Sequence, residues 1–363
     1  MPPKPLPTAT LKPNQSKKST TESATDGILL GDKVYWNPAN LPNGHIAIIG
    51  ASGSGKTQTL KAIAYELPRF IPSVRCISID FHGDLELPFE SCYPLNMESP
   101  HGINPLVVDL DTKGGGPSLQ AIAVAAILKK ALTMGVNQEG LAIDILTTCY
   151  KQRGILQDDP KTWTKQPPTF ADVRIEIEAR IENGCKESQK LALKLAAMFE
   201  YGIFTRPQPS LDAPIIRFDL SALGKVPGLG AIAAEALIKQ LMDSHRIAGE
   251  IEDKIPKTFI LIDECKEVKN SKTLNIILAD GRKHGLCCIV ASQRDAEISK
   301  EVIANTATKI ILPIDQAEVR TVASRFRFSD NLIANLDPLQ ALVRMGKDGH
   351  KVNIIPYYKR VEL

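Results

Sequence analysis

Residues 46–57 read I46-A-I-I-G-A-S-G-S-G-K-T57, an apolar run entering a glycine-rich loop. Four apolar residues in a row predict a short parallel strand buried on both faces. The segment from Gly50 to Thr57 matches G-x-x-x-x-G-K-[ST] at every fixed position. Its glycines let consecutive backbone N–H groups turn inward around phosphates, and the amino terminus of the following helix adds its dipole. Gly50, Ala51, Ser52, Gly53, Ser54, Gly55 and Gln58 then wrap the phosphates of a nucleotide. Lys56 reaches the β- and γ-phosphates, and the Thr57 hydroxyl becomes a ligand of Mg2+. A dinucleotide fingerprint through Gly53 and Gly55 is excluded, because Gln58 stands where the third glycine is needed. Downstream, Thr57 to Leu67 reads as a helix stopped by Pro68. A strand over Val74–Asp80 follows at the spacing of a βαβ unit.

The cradle needs a metal shell and a base, and the stretch T258-F-I-L-I-D-E264 offers both. A parallel strand delivers its last side chains to the carboxyl edge of the sheet, where ligands bind. Asp263 is placed to hold the magnesium shell, and Glu264 to orient and deprotonate water. No N-K-x-D tetrapeptide for guanine is present. ATP is therefore expected rather than GTP, in a P-loop ATPase of the additional-strand, catalytic-glutamate type.

Around these motifs the chain of 363 residues has 43% hydrophobic and 23% charged residues, ordinary for a globular protein. A net charge of +3 is too small to argue nucleic-acid binding. Seven cysteines without a C-x-x-C pair speak against a zinc site or a disulfide framework. With no apolar run long enough for a bilayer and no signal peptide, a cytoplasmic protein without membrane insertion is expected. Residues 1–26, rich in Pro, Lys, Ser and Thr, read as a disordered basic tail. The nucleotide-binding core is expected in two parts, 27–113 and 211–363. Between them, 114–210 shows helical periodicity over 118–132, 140–152, 170–181 and 188–202 and reads as a helical insertion. Further strands are expected over 215–220, 287–292 and 309–312. Helices are expected over 231–243, 271–283 and 318–325. Residues 341–356 suggest a hairpin turning at Asp348-Gly349. The fold class is α/β with a mainly parallel central sheet, a helical insertion and a C-terminal hairpin.

With these elements in place the chain resembles the HerA/FtsK superfamily of ring-forming DNA pumps, which includes ATPases of conjugation and type IV secretion. The resemblance runs from about Gly44 to the end, through D80-F-H-G-D84, I103-N-P-L106 and F218-D-L-S-A222, then G281-R-K-H-G285, A291-S-Q-R294 and A304-N-T-A-T-K-I-I-L312. It implies a RecA-like fold, with Gln293 as the polar sensor of the γ-phosphate and Arg282 as the arginine that reaches a neighbour's ATP. Arg282 lies in the last turn of the expected helix 271–283, at the far end from its own nucleotide. For Asp80, His82 and Asp84 a coordinating or positioning task and a simple turn stay open. The implied activity is ATP-driven translocation of double-stranded DNA by a homo-oligomeric ring, a hexamer, with a nuclease or other protein as a further partner. The resemblance equally admits a secretion ATPase acting on protein. Members of the HerA branch begin with a β-barrel, for which about 40 residues before the cradle leave no room. The stretch L29-L-G-D-K-V-Y-W-N-P38 is also similar to ATPase modules of phosphorothioation-linked restriction systems, which implies an assembly role in a defence complex.

Overall fold

The computed structural model describes residues 27–361, so the expected basic tail lies outside the described residues. The described residues begin with a small antiparallel hairpin, β1 (Ile28–Gly31) and β2 (Val34–Trp36). Strand β3 (Ile46–Ile49) then enters the glycine loop and helix α1 (Lys56–Phe70). Strands β4 (Arg75–Asp80) and β5 (Ser91–Pro94) follow. Four helices come next: α2 (Pro117–Leu132), α3 (Val136–Gln152), α4 (Phe170–Glu182) and α5 (Lys186–Tyr201). The chain returns through β6 (Ile215–Asp219), α6 (Leu229–Ala248), β7 (Thr258–Ile262), α7 (Lys272–Asp280) and β8 (Leu286–Ser292). It continues with α8 (Lys300–Asn305), β9 (Thr308–Ile311), α9 (Val319–Phe326) and α10 (Asp330–Ala334). A hairpin of β10 (Gln340–Met345) and β11 (Asp348–Asn353) and the short helix α11 (Tyr357–Val361) complete it.

Strands β3 to β11 form one sheet in the order β11-β10-β9-β3-β8-β7-β4-β6-β5. All neighbours are parallel except at the edge, where β10 runs antiparallel to both β9 and β11. Every residue of β3 is fully buried because both faces are covered. Ile46 and Ile48 pack with Leu60, Ile63 and Leu67 of α1, whereas Ala47 and Ile49 belong to the larger core shared with α6, α7 and the helices α2–α5. The sheet is thus sandwiched, and its carboxyl edge is left to the loops. Among the described residues no helix is long and apolar enough to cross a membrane.

Three expectations need correction. Pro68 does not stop α1 but lies inside its last turn. Its missing N–H costs one hydrogen bond there, and the helix runs two residues further, ending where the Ile71 N–H caps the Leu67 carbonyl at 2.8 Å. The hairpin does not turn at Asp348-Gly349, which pair with Met345 and Arg344 as the first residues of β11. Gly346-Lys347 is the turn, and Gly346 supplies the left-handed φ of 59° that glycine at the first central position provides. This register sets Ala341 opposite Val352, both fully buried. Finally, α7 gives way at Gly281 to a 3-10 turn over Gly281–His284. A Cβ on Gly281 would come within 2.7 Å of the Leu286 carbonyl, so the chain there packs too tightly for a side chain.

Candidate nucleotide site

The loop after β3 is held open by its own glycines and by strands on either side. The Gly50 N–H donates to the Ser292 carbonyl at 3.2 Å, and the Ala51 N–H to the Pro313 carbonyl at 2.8 Å. A Cβ on Gly50 would stand 2.4 Å from Ser54 Oγ and 2.9 Å from Leu312 Cβ, so a side chain there would have to displace its neighbours. Gly53 and Gly55 adopt φ of 77° and 99°, a region that favours glycine. A Cβ on Gly55 would also strike Leu339 Cδ2 at 2.5 Å, and the Leu339 N–H donates to the Ser54 carbonyl at 3.0 Å. The approach to the C-terminal hairpin therefore braces the cradle from outside, and Gln58 accepts from the Tyr358 N–H at 3.4 Å.

Lys56 starts α1, whose first N–H groups have no intrahelical partner and point into the loop. Its buried ammonium pairs with Asp263. Asp263 and Glu264 leave the end of β7, and both are 1% exposed. Burial raises the Asp263 carboxyl above its ordinary range; Lys56 opposes the rise, and the nearby Asp84 and Glu264 add to it. At Glu264 burial also pushes upward. It is outweighed by the Gln293 hydrogen bond with Lys56, Lys266 and His82, so this carboxyl sits below its ordinary range. Strand β8 lies between β3 and β7 and ends beside both motifs. Gln293 follows it, and its Nε2 donates to Glu264 Oε1 at 3.0 Å. The other oxygen, Oε2, has no hydrogen-bond partner among the described residues and lies 3.6 Å from Lys266 Nζ.

The loop after β4, left undecided by sequence, splits into two tasks. Asp80 is fully buried and organises the loop: Oδ1 accepts from the N–H groups of His82 at 3.1 Å and Gly83 at 2.7 Å, and Oδ2 from Leu85 at 3.0 Å. Arg217 of β6 locks it with an Nη1 contact to Asp80 at 3.2 Å and an Nε contact to Glu90 at 2.8 Å. The loop thereby carries His82 Nε2 to 3.1 Å from Glu264 Oε1 and Asp84 Oδ2 to 3.5 Å from the Thr57 hydroxyl. His82, Asp84 and Arg217 are thus parts of the site to which sequence alone assigned no role. Arg217 carried no signal, while the other two stood out as ionisable residues at a strand end.

Lys56, Thr57, Asp263, Glu264 and Gln293 are therefore brought together at one sheet edge, and Arg282 is not. Arg282 precedes β8 and Gln293 follows it, so the length of that strand, about 20 Å, separates them. The residues present fit ATP with Mg2+: a tight glycine cradle, a buried ammonium paired with Asp263, a hydroxyl beside the Asp84 carboxylate, and a buried carboxylate oxygen without a hydrogen-bond partner among the described residues.

Residues 27–110 match the family model of the HerA helicase central domain. Over these residues, fewer than half of the chain, it is similar to that domain. Among solved structures the chain is similar to VirB4 of Thermoanaerobacter pseudethanolicus, with 19% identity and a TM-score of 0.77 over 92% of this chain and 97% of that one. It is also similar to the bacterial plasmid coupling protein TrwB in complex with ADP and Mg2+, with 17% identity and a TM-score of 0.63 over 93% and 90% of the two chains. At these identities the likeness concerns the fold, that of RecA-like P-loop ATPases. No curated protein matches the chain at a significant level.

Proposed function

We propose that this ATPase is a motor that works as a homo-oligomeric ring, a hexamer, and moves double-stranded DNA. The observation that carries the catalytic half is the asymmetry of Glu264. Gln293 and His82 both hold Oε1, whereas the buried Oε2 has no hydrogen-bond partner among the described residues and only Lys266 near it. Oε2 is then the oxygen that orients water and takes its proton, and the lowered carboxyl keeps it ionised at neutral pH. Lys56 exchanges Asp263 for the terminal phosphates when ATP enters. Thr57 and Asp263, with Asp84 beside them, would hold a magnesium ion, whose charge neutralises the phosphate oxygens. Gln293 reports the γ-phosphate to Glu264. Arg282 is half-buried and forms no ion pair among the described residues, since Asp280 engages Lys283, Arg246 and His284 instead. It serves a neighbouring copy's ATP.

The DNA half is supported by the match to a helicase central domain. Likeness to a conjugative coupling protein supports a setting in conjugation, and the second reading is a conjugation or secretion ATPase that acts on protein. The similarity of residues 29–38 to restriction-linked ATPase modules supports a setting in defence, with a nuclease as partner. ATPase rate with and without duplex DNA at ~50 mM salt separates the first two readings. A DNA motor is stimulated, and the stimulation fades as salt rises. A rate indifferent to DNA at every salt concentration contradicts the motor.

A further inference from the structure

Away from the nucleotide site, one cluster of charge is left unbalanced. Lys309 of β9 stands opposite Arg344 of β10 in the antiparallel register. Both share a sheet face with Ile311 and Leu342, two residues along each strand, on the side covered by α9. Arg344 Nη1 donates to the Phe326 carbonyl at the end of α9 at 2.7 Å, and its guanidinium lies 5.9 Å from the Phe328 ring centre. The next residue after Phe326, Arg327, brings a third cation to the same place. Lys309 donates to the Thr306 carbonyl at the end of α8. None of the three forms an ion pair among the described residues. The charged groups that act on Lys309 are Arg344 and Arg327, and with burial as the larger cause they bring its ammonium down to about 8.

Two of these cations have a structural task, because a positive group at a helix carboxyl end satisfies its last carbonyls. Arg327 has none. It is exposed, its side chain makes no hydrogen bond among the described residues, and its backbone sits at φ 58°, ψ 48°. That left-handed cap favours glycine or asparagine, and any other L-residue is strained there. A chain that needed only the turn would have neither the strain nor the added repulsion. Backbone strain kept together with like charge, at an exposed arginine beside two half-buried cations, points to a ligand that repays both.

We propose that Lys309, Arg327 and Arg344 form a patch that grips the sugar–phosphate backbone of double-stranded DNA. The proposal rests on the DNA-motor reading and gives it a contact site. Guanidinium groups suit phosphate oxygens in fixed pairs of hydrogen bonds, and such contacts are indifferent to base sequence. Thr308 pairs with Ile46 at the start of β3, whereas the cradle follows the end of that strand. DNA on the patch therefore leaves the nucleotide edge open.

The test is fluorescence anisotropy of a labelled ~30-base-pair duplex with the full chain, over a salt series. Arg327→Gly removes the charge and also relieves the backbone, so it should melt at a higher temperature while binding DNA more weakly. The weakening expected at low salt is about fivefold, with the slope of log affinity against log salt shallower by about 0.9 for the one phosphate no longer neutralised. Arg327→Lys should keep most of the binding, and DNA-free ATPase should be unchanged in both. If the wild type binds and Arg327→Gly binds equally with the same slope, the patch is wrong and the motor stands. If the wild type binds no duplex at all, both fall.

Discussion

Lys56 and Glu264 share one pocket and should fail in different ways. Lys56→Ala removes the ammonium that meets the terminal phosphates and also strips the buried Asp263 of its partner. ATP binding should be lost, and the apo protein should be weakened as well, since breaking a buried pair costs about 3–5 kcal/mol. Glu264→Gln keeps the shape and its neighbour Asp263 but has no base. ATP should bind as in the wild type, while turnover falls by about 10²–10⁴. Binding of a fluorescent ATP analogue, thermal melting and single-turnover hydrolysis distinguish the two, and wild-type turnover in Glu264→Gln contradicts the assignment. The cradle and the two acids were legible in the sequence because their chemistry demands fixed spacing along the chain. His82 and Asp84 were visible as ionisable residues after a strand, yet their reach into the site was not. It depends on Asp80 being fixed by Arg217, 137 residues away.

At the scale of elements, β3 and β8 enclose a histidine whose protonation the fold resists. His45 is fully buried, its Nδ1 accepts from the Cys288 N–H at 2.9 Å, and Nε2 has no partner among the described residues. Burial, aided by the Arg282 charge, lowers it from 6.5 to about 3. The unfolded chain therefore binds a proton between those values that the folded chain refuses. Stability contributed by neutral His45 is present above pH 6.5 and is lost as pH falls below it, at about 1.4 kcal/mol per pH unit. His245 is lowered by burial in the same sense and adds to the loss. In urea unfolding His45→Asn should lose about 2 kcal/mol less than the wild type between pH 6.5 and 5. Identical pH dependence in the two proteins would contradict this account. Long strands and helices were readable at this scale because burial on one or both faces imposes a period. The pair β1–β2, strand β5 and helices α8, α10 and α11 are too short to show one. The hairpin turn was misplaced because both Asp348-Gly349 and Gly346-Lys347 offer a glycine, and only packing of Ala341 against Val352 selects between them.

For the whole molecule, the order of strands explains why ATP chemistry concentrates at one edge and leaves Arg282 at the other. Placing β8 between β3 and β7 sets Gln293 between the cradle and Glu264, although along the chain Gln293 comes after both. The return of β10 to the edge of the sheet, where Leu339 braces Ser54 and Gly55, had no local signal, since it joins residues far apart in the chain. Arg282 cannot serve its own nucleotide from across the length of β8, and in the proposed ring it would reach a neighbour's. The measurement that tests this most directly is ATP turnover of Arg282→Ala, of Lys56→Ala, and of the two mixed. Arg282→Ala should fold and bind ATP normally and lose about 10³-fold or more in turnover, as loss of an arginine finger does. Lys56→Ala should be inactive for its own reason. A mixed ring contains interfaces where an intact cradle meets an intact Arg282, so mixing the two inactive proteins should restore part of the activity. If Arg282→Ala alone keeps more than about a tenth of wild-type turnover, or the mixture stays as inactive as its parts, ATP is not hydrolysed between copies and the ring motor is contradicted.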